Sequence, residues 1–253
     1  MPVAAGLHYK VIPHEGAVNV LLIHGAGGMY LSWPIEMRRI PGYRIYALDL
    51  PGHGVSGGEG HRSVADYAAA VMAWMDQIGL KQVVAVGHSM GSAIAMTLAL
   101  KHAERVIGLG LLGSAASLQV NPHLLRMASS VESYPQAVDL IIRWSFSNQA
   151  PPRLVQLVRQ RMLTMRQEVL LADLLACNEF DIRGELSQIR QPALILCGAE
   201  DKMTPVSGSE LLATSLPSSS RIMIPESGHM VMLEQPQQTA AALERFLAGT
   251  PSS

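Results

Sequence analysis

Three side-chain types in this chain could together perform nucleophilic catalysis. Ser89 lies in the middle of a G-H-S-M-G pentapeptide, and the chain also holds His229 and two adjacent carboxylates, Glu200 and Asp201. A serine hydroxyl is a weak nucleophile, so it needs a base to accept its proton, and the base needs a group that orients it and stabilises its positive form. The chemistry therefore requires a histidine and a carboxylate near Ser89.

The residues around Ser89 predict a sharp turn between a strand and a helix. An apolar run at 82–86 precedes the pentapeptide, and small and apolar residues follow it at 92–100. In that setting a G-x-S-x-G motif places its serine on a strained turn, with the hydroxyl exposed above the sheet. Such a turn brings the two backbones close together, so a Cβ at Gly87 or Gly91 would collide with the neighbouring element.

His229 and the two carboxylates follow later predicted strands. His229 comes just after the strand predicted at 221–224, and Glu200 and Asp201 come just after the strand predicted at 193–197. Loops that follow parallel strands lie at one edge of the sheet, so we expect these side chains at the same edge as Ser89. A shift of one residue in the loop would exchange the two carboxylates, and both stay open at this point.

The remaining pattern predicts the sheet that must position these residues. Short runs rich in β-branched residues are apolar at consecutive positions, as in parallel strands buried on both faces. These runs lie at 18–23, 44–48, 82–86, 106–112, 193–197 and 221–224. Helical patterns occur at 64–78, 90–101 and 236–247, and an alternating run at 7–12 fits an antiparallel edge strand. Strands alternating with helices predict an α/β fold, with a doubly wound, mostly parallel sheet of about eight strands, as one domain over residues 1–253.

One segment interrupts the alternation. Residues 115–188 contain no convincing buried-strand run and are mostly helical in pattern, so we predict an inserted helical cap over the C-terminal edge of the sheet. The segment contains no lysine but seven arginines, at positions 126, 143, 153, 159, 161, 166 and 183. One of these guanidinium groups could face the pocket and bind a substrate carboxylate through two parallel hydrogen bonds, with the others on solvated faces.

The composition argues against several other classes of protein. Of the 253 residues, 49% are apolar and 15% are charged, which is enough for a large core and argues against disorder. The formal net charge of −1 and the absence of Lys/Arg runs argue against nucleic-acid binding, and no apolar run is long enough to span a membrane. Two cysteines, Cys177 and Cys197, are too few for a disulfide framework, and with no signal-peptide pattern they predict a cytoplasmic protein.

No cofactor or metal is predicted. The glycines at 52, 54 and 57 formally match a dinucleotide-binding G-x-G-x-x-G motif after a strand, but the next helix begins only near Ser63. A phosphate-binding glycine turn has to open the helix directly, so we reject a nicotinamide cofactor. The histidines and cysteines show no metal-ligand spacing.

A series of short motifs in a fixed order gives the chain a resemblance to the α/β-hydrolase family, across essentially the whole sequence. The motifs are His24-Gly25, Pro51-Gly52-His53-Gly54-Val55-Ser56, the pentapeptide 87–91, Gly198-x-x-Asp201 and Gly228-His229. The chain is most similar to the small, capped, serine esterase-like group of that family.

The resemblance implies roles for particular residues. The family places its acid at the fourth position of G-x-x-D, which favours Asp201 over Glu200 and implies a catalytic triad of Ser89, Asp201 and His229. It also implies an oxyanion hole formed by the backbone N–H groups of Met90 and Ala26, with Gly27 as the alternative to Ala26.

The identity of the nucleophile narrows the expected reaction. Haloalkane dehalogenases and epoxide hydrolases of this fold use an aspartate at the turn, whereas Ser89 implies an acyl-serine intermediate. We therefore expect a carboxylesterase that cleaves small to medium acyl esters. Apolar residues of the predicted cap favour apolar acyl groups, namely Leu118, Leu124, Leu125, Met127, Met162, Leu163 and Met165. An enol-lactonase or carbon–carbon bond hydrolase acting on a keto acid is the alternative if a cap arginine faces the pocket. A non-catalytic small-molecule binding protein is the alternative from another class.

Overall fold

Eight short segments form the strands of one sheet. The computed structural model describes residues 2–14 and 18–250. The strands are β1 (Val3–Ala4), β2 (Leu7–Ile12), β3 (Asn19–Ile23), β4 (Arg44–Leu48), β5 (Val83–His88), β6 (Val106–Leu112), β7 (Ala193–Gly198) and β8 (Ser219–Ile224). Their order is β1-β2-β4-β3-β5-β6-β7-β8, with antiparallel pairs up to β4 and parallel pairs from β4 onward. The predicted doubly wound, mostly parallel sheet is confirmed.

The N-terminal edge of the sheet differs from the prediction in one respect. Strand β2 is antiparallel to β4, as its alternating pattern predicts, but it is not the edge strand. Residues Ala5 and Gly6, with φ of 48° and 76°, turn the chain back so that β1 pairs outside β2. A two-residue strand is too short to show an alternating pattern, so the sequence does not reveal it.

Ten α-helices connect or flank the strands. They are α1 (Ile35–Arg38), α2 (Val64–Gln77), α3 (Met90–Lys101), α4 (Pro122–Ala128), α5 (Tyr134–Ser145), α6 (Pro152–Leu163), α7 (Gln167–Glu179), α8 (Val206–Ser215), α9 (Val231–Glu234) and α10 (Pro236–Ala248) among the described residues. Helix α2 begins as its sequence predicts, because the Ser63 side chain accepts a hydrogen bond from the Asp66 N–H at 3.1 Å.

Helices cover both faces of the sheet. On β3, Leu21 and Ile23 pack in one hydrophobic cluster with α2 and α3, whereas Val20 and Leu22 pack on the other face with α1 and α10. All four side chains are fully buried, and burying a side chain of this size contributes about 1.5–3 kcal/mol. Burial on both faces explains why the central strands are continuously apolar, and it makes the sheet a rigid support for the loops at its edge.

The segment 115–188, here called the inserted segment, lies between β6 and β7 and carries helices α4 to α7. Within these residues, all of them described, the strand-like pairing is limited to one isolated bridge between Ser117 and Asp181. Helix α7 is buried along much of its length, because its apolar residues contact both hydrophobic clusters. The inserted segment therefore packs onto the sheet rather than extending into solvent.

Cys177 and Cys197 are both buried and unpaired. In residues 2–14 and 18–250, every helix is too short or too polar to cross a lipid bilayer.

Candidate active site

Ser89 occupies the turn between β5 and α3 with a strained backbone. Its φ of 53° and ψ of −119° are unusual for an L-residue, and such a conformation costs on the order of 1–3 kcal/mol unless its surroundings enforce it. The Ser89 N–H donates to the Leu112 carbonyl at 2.9 Å. The Ser92 hydroxyl donates to the Gly87 carbonyl at 2.7 Å. These bonds tie the turn to β5 and to the end of β6.

The two glycines of the pentapeptide are needed for steric reasons. A Cβ added at Gly87 would overlap the backbone of Gly91, and a Cβ added at Gly91 would overlap the carbonyl oxygen of Ile23. Both clashes involve main-chain atoms, which cannot move aside as a flexible side chain could. The collision predicted from the sequence is confirmed.

His229 lies beside this turn and is paired with Asp201. The His229 Nδ1 donates to Asp201 Oδ2 at 2.9 Å, and both side chains are buried. Because Nδ1 donates its proton to Asp201, Nε2 is the ring nitrogen of His229 left to accept a proton. Among the described residues no hydrogen bond joins this Nε2 to Ser89 Oγ. Catalytic hydrogen bonds commonly tighten only when the substrate binds.

Asp201 is held as a carboxylate by a dense set of donors. Its Oδ1 accepts the N–H groups of Met203 and Thr204 at 2.9 and 2.8 Å, and its Oδ2 also accepts the Thr204 hydroxyl at 2.7 Å. Burial alone would raise the pKa of Asp201, but the charge and hydrogen bond of His229 and the bonds from Thr204 together lower it. Thr204 was not predicted from the sequence. The only signal for it is a hydroxyl residue three positions after an aspartate in a loop.

Glu200, the alternative carboxylate, makes a different contact. Its Oε2 accepts the N–H of Asn148 in the inserted segment at 3.3 Å. The structure thus brings His229 together with Asp201 and not with Glu200.

His88, the neighbour of Ser89, supports the histidine loop. Its Nε2 donates to the His229 carbonyl at 3.0 Å, and the two rings lie 4.7 Å apart. Burial, with a smaller effect from the charge of His229, lowers the pKa of His88 to about 3. A neutral imidazole therefore links the turn of Ser89 to the loop of His229.

Ser89 faces a cavity of about 260 Å³ with mostly apolar walls. The apolar lining residues are Ala26, Leu118, Val120, Leu124, Trp144, Leu174, Cys177 and Met203. Most of them belong to the inserted segment. Gln119, Asn121 and Lys202 form an exposed polar rim.

The arginines of the inserted segment do not reach this cavity. None of the seven, all of which the structure describes, is among its lining residues, and Lys202 is the charged residue there. Arg161 and Arg166 line a separate crevice beside the glycine-rich loop 52–58, where the Arg166 Nη2 donates to the Gly58 carbonyl at 2.6 Å. The carboxylate clamp considered from the sequence is therefore not formed at Ser89.

Two unpaired backbone N–H groups lie near Ser89. Among the described residues, the N–H groups of Ala26 and Met90 have no hydrogen-bond acceptor, and Ala26 lines the cavity together with Ser89. The Gly27 N–H, by contrast, donates to Asp173 Oδ2 at 2.9 Å. Ala26 and Met90 are thus the available donors, whereas Gly27 is already engaged.

Comparisons with known proteins agree with this geometry. The family model for the alpha/beta hydrolase fold matches residues 18–236. The chain is 27% identical over 265 residues to a 2-hydroxymuconate semialdehyde hydrolase of Pseudomonas putida, covering 97% of this chain and 92% of that protein. The structure of a thermophilic esterase from Thermogutta terrifontis, with malate bound, superposes with a TM-score of 0.87 at 25% identity, covering 96% of this chain and 93% of that one.

A further relative is a larger protein. The chain is 28% identical over 257 residues to the dihydrolipoyllysine-residue acetyltransferase component of the acetoin cleaving system of Pseudomonas putida, covering 92% of this chain. It spans only 64% of that protein's length. Since the family model matches most of the present chain, the chain belongs to the α/β-hydrolase fold family, and hydrolysis is the class of reaction that this family and the named hydrolase relatives support.

Proposed function

We propose that the protein is a serine hydrolase, a carboxylesterase that cleaves small to medium acyl esters through an acyl-Ser89 intermediate. The observation that carries the proposal is the buried Asp201–His229 pair, joined at 2.9 Å beside the strained turn of Ser89. A buried carboxylate that orients a neutral histidine is the arrangement that a serine nucleophile needs. The ester class follows from the acyl-serine chemistry and is also consistent with the esterase named above.

The proposed reaction has two balanced steps. Ser89 Oγ attacks the carbonyl carbon of the ester while His229 Nε2 takes the hydroxyl proton, and the resulting oxyanion accepts hydrogen bonds from the N–H groups of Ala26 and Met90. Collapse of this intermediate breaks the ester bond, and His229 passes the proton to the departing alkoxide. Water then attacks acyl-Ser89, with His229 accepting its proton, and the carboxylic acid leaves as Ser89 is regenerated.

The size and polarity of the cavity support an apolar acyl group of modest length. A volume of about 260 Å³ accommodates a short chain, and its walls are mostly apolar. Each methylene buried there would contribute about 0.8 kcal/mol to binding. We further propose that the inserted segment is the cap that shapes this site, since Leu124 and Trp144 come from it. The two unpaired cysteines suit a cytoplasmic location.

A second candidate is the hydrolysis of a lactone or of a carbon–carbon bond in a keto acid. The relative named as a 2-hydroxymuconate semialdehyde hydrolase favours it. The lining of the cavity gives this candidate less support, because its charged residue is the exposed Lys202 and not one of the arginines that could bind a carboxylate through two parallel hydrogen bonds. A non-catalytic binding protein would have no need for the Asp201–His229 pair.

The test is ester hydrolysis by matched serine variants. We expect wild-type protein to hydrolyse p-nitrophenyl acetate and butyrate, Ser89→Ala to abolish turnover, and Ser187→Ala, at an exposed serine of the inserted segment, to leave it unchanged. A fluorophosphonate probe should add its mass to wild type and not to Ser89→Ala. Turnover that is undetectable, or unaffected by Ser89→Ala, would reject the serine esterase. Faster turnover of enol-lactones or keto acids than of esters would favour the second candidate.

A further inference from the structure

Asp173 is a fully buried carboxylate that the proposed triad does not use. It lies in α7 of the inserted segment with 0% of its surface exposed. A carboxylate without water is strongly unfavourable unless donors surround it. Its position therefore requires specific partners, and those partners show what the residue does.

Three hydrogen bonds reach the Asp173 carboxylate from three separate elements. Its Oδ2 accepts the Gly27 N–H at 2.9 Å and the His53 Nε2 at 2.8 Å, while the Tyr67 hydroxyl donates to Oδ1. Gly27 lies in the loop after β3, His53 in the loop after β4, and Tyr67 in α2. One side chain of the inserted segment thus contacts three parts of the core.

The bond to Gly27 fixes the loop that presents the Ala26 N–H. Gly27 has a φ of 69°, a left-handed conformation that favours glycine, and the Gly28 N–H closes the same turn on the Gly25 carbonyl at 3.0 Å. With Gly27 bound by Asp173, the Ala26 N–H is the unpaired donor of this loop that borders the cavity. Asp173 therefore engages the Gly27 N–H, next to the Ala26 N–H that stays unpaired.

The same helix also forms part of the cavity wall. Leu174, the next residue, and Cys177, one turn later, both line the cavity of Ser89. A shift of α7 would move the wall and the Gly27 anchor together.

His53 and Asp173 interact through their charges as well as through a hydrogen bond. Its Nδ1 donates to the Pro51 carbonyl at 2.9 Å while its Nε2 faces the carboxylate, so both ring nitrogens meet acceptors. Burial lowers the pKa of His53, but the charge and hydrogen bond of Asp173 outweigh burial and raise it overall. The Asp173 carboxylate thus favours the protonated form of His53.

We propose that Asp173 is a positioning residue that fastens the inserted segment to the oxyanion loop, so that the Ala26 N–H and the acyl-cavity wall keep one relative position. The proposal rests on the proposed function for its kinetic consequence. The structural part, that Asp173 fixes residues 25–28, can be tested without any substrate.

The kinetic test compares two buried carboxylates that each pair with a histidine. Asp173→Asn should lower kcat roughly 10–100-fold with a much smaller change in KM, since displacement of an oxyanion donor acts on the transition state. The control is Asp49→Asn, because the Asp49 side chain pairs with His8 at 2.7 Å and accepts the N–H groups of Tyr30 and Val55, which lie outside residues 24–28. It should lower the melting temperature while keeping kcat within about threefold. A trifluoromethyl ketone, which forms a tetrahedral adduct, should lose affinity for Asp173→Asn in parallel with kcat/KM.

The structural test is amide hydrogen exchange in the peptide that covers residues 24–29, measured well below the melting temperature. Exchange should speed up in Asp173→Asn and stay at the wild-type rate in Asp49→Asn. If Asp173→Asn does not fold, Tyr67→Phe tests the role of Asp173 instead, because it removes one hydrogen-bond donor to the carboxylate and keeps the ring. Its exchange should change in the same direction by a smaller amount. Wild-type exchange in the folded variants would overturn the proposal. If wild type shows no Ser89-dependent turnover, the proposed function fails, and hydrogen exchange alone decides the role of Asp173.

Discussion

The His88 imidazole donates a hydrogen bond from Nε2 to the backbone carbonyl of His229 at 3.0 Å. The residue before the proposed nucleophile therefore holds the main chain of the proposed base. Because the acceptor is a carbonyl, the bond requires a proton on Nε2. The ring is otherwise neutral, since burial lowers the pKa of His88 to about 3. The relative position of Ser89 and His229 thus depends on a histidine that itself takes no proton near neutral pH.

Because His88 is buried in its neutral form, the free energy of unfolding should decrease at acidic pH. The unfolded chain protonates this histidine below about pH 6.5, whereas the folded protein does so only near its folded-state pKa of about 3. Stability is therefore full above the unfolded pKa and falls as the pH is lowered, by roughly 1.4 kcal/mol per pH unit for this one group. We expect His88→Gln, whose amide can still donate to the carbonyl, to show a shallower decline between pH 6 and pH 4.

Urea unfolding at several pH values measures this slope. His24 also has a pKa lowered by burial, so the decline in His88→Gln should be reduced rather than abolished. His123→Gln, at an exposed histidine, is the matched control and should keep the wild-type slope. An unchanged slope in His88→Gln would show that His88 does not contribute to the acid sensitivity.

The carboxylate that orients His229 can be identified by two neighbouring substitutions. Asp201→Asn should lower kcat roughly 10³–10⁴-fold, because an amide in place of the carboxylate favours the wrong tautomer of the histidine. Glu200→Gln should leave kcat within about twofold, since among residues 2–14 and 18–250 the Glu200 carboxylate accepts one long hydrogen bond, from the Asn148 N–H at 3.3 Å. Steady-state kinetics with p-nitrophenyl butyrate and circular dichroism of both variants measure the effect. The reverse ranking of the two variants would assign the role to Glu200.

Local sterics and hydrophobic periodicity account for the parts of the structure that the sequence predicts. The requirement for Gly87 and Gly91 can be predicted from the sequence, because a sharp strand–turn–helix unit brings the backbone at both positions close to other main-chain atoms. The strands are readable because burial on both faces leaves continuous apolar runs. The loops of Asp201 and His229 follow directly, since each begins where a predicted strand ends.

Contacts that join distant segments could not be predicted in the same way. The donors to Asp173 lie 146, 120 and 106 positions away along the chain. The sequence offers one signal for it, a single carboxylate between apolar neighbours in α7, and that signal does not name the partners. The side on which the arginines of the inserted segment lie depends equally on how that segment packs. This explains why the predicted carboxylate clamp is absent from the cavity.

Thr204 offers a test of how the Asp201 carboxylate is stabilised. Its hydroxyl donates to Asp201 Oδ2 at 2.7 Å and contributes to the lowered pKa of that carboxyl. The lowered pKa of Asp201 stabilises the folded protein at pH values above about 3.9, the pKa of an aspartate in the unfolded chain. This contribution is lost as the pH falls through the pKa of Asp201 in the folded protein. Thr204→Val should therefore lose stability at a higher pH than wild type and lower kcat roughly tenfold. Thr204→Ser should restore both properties.

Acid titration of stability and the kinetics of the two Thr204 variants distinguish a hydrogen-bonding role from simple packing. Valine keeps the volume of threonine, so a packing role alone would leave both properties of Thr204→Val at the wild-type level. Serine removes a methyl group but keeps the hydroxyl. If Thr204→Ser is as impaired as Thr204→Val, the methyl group and not the hydrogen bond is what matters.

Trp144 should limit the length of the acyl chain. It is half-buried, belongs to α5 and lines the cavity of Ser89. Replacing it by alanine lengthens the apolar space, and two further methylenes buried at about 0.8 kcal/mol each correspond to roughly a tenfold gain in kcat/KM. We therefore expect the octanoate-to-butyrate ratio of kcat/KM to rise about tenfold in Trp144→Ala. Leu157→Ala, at a residue of α6 that is 42% exposed and does not line the cavity, should keep the wild-type ratio. An equal ratio in wild type and Trp144→Ala would place the acyl chain elsewhere, and the rim of Gln119, Asn121 and Lys202 would then be the next wall to vary.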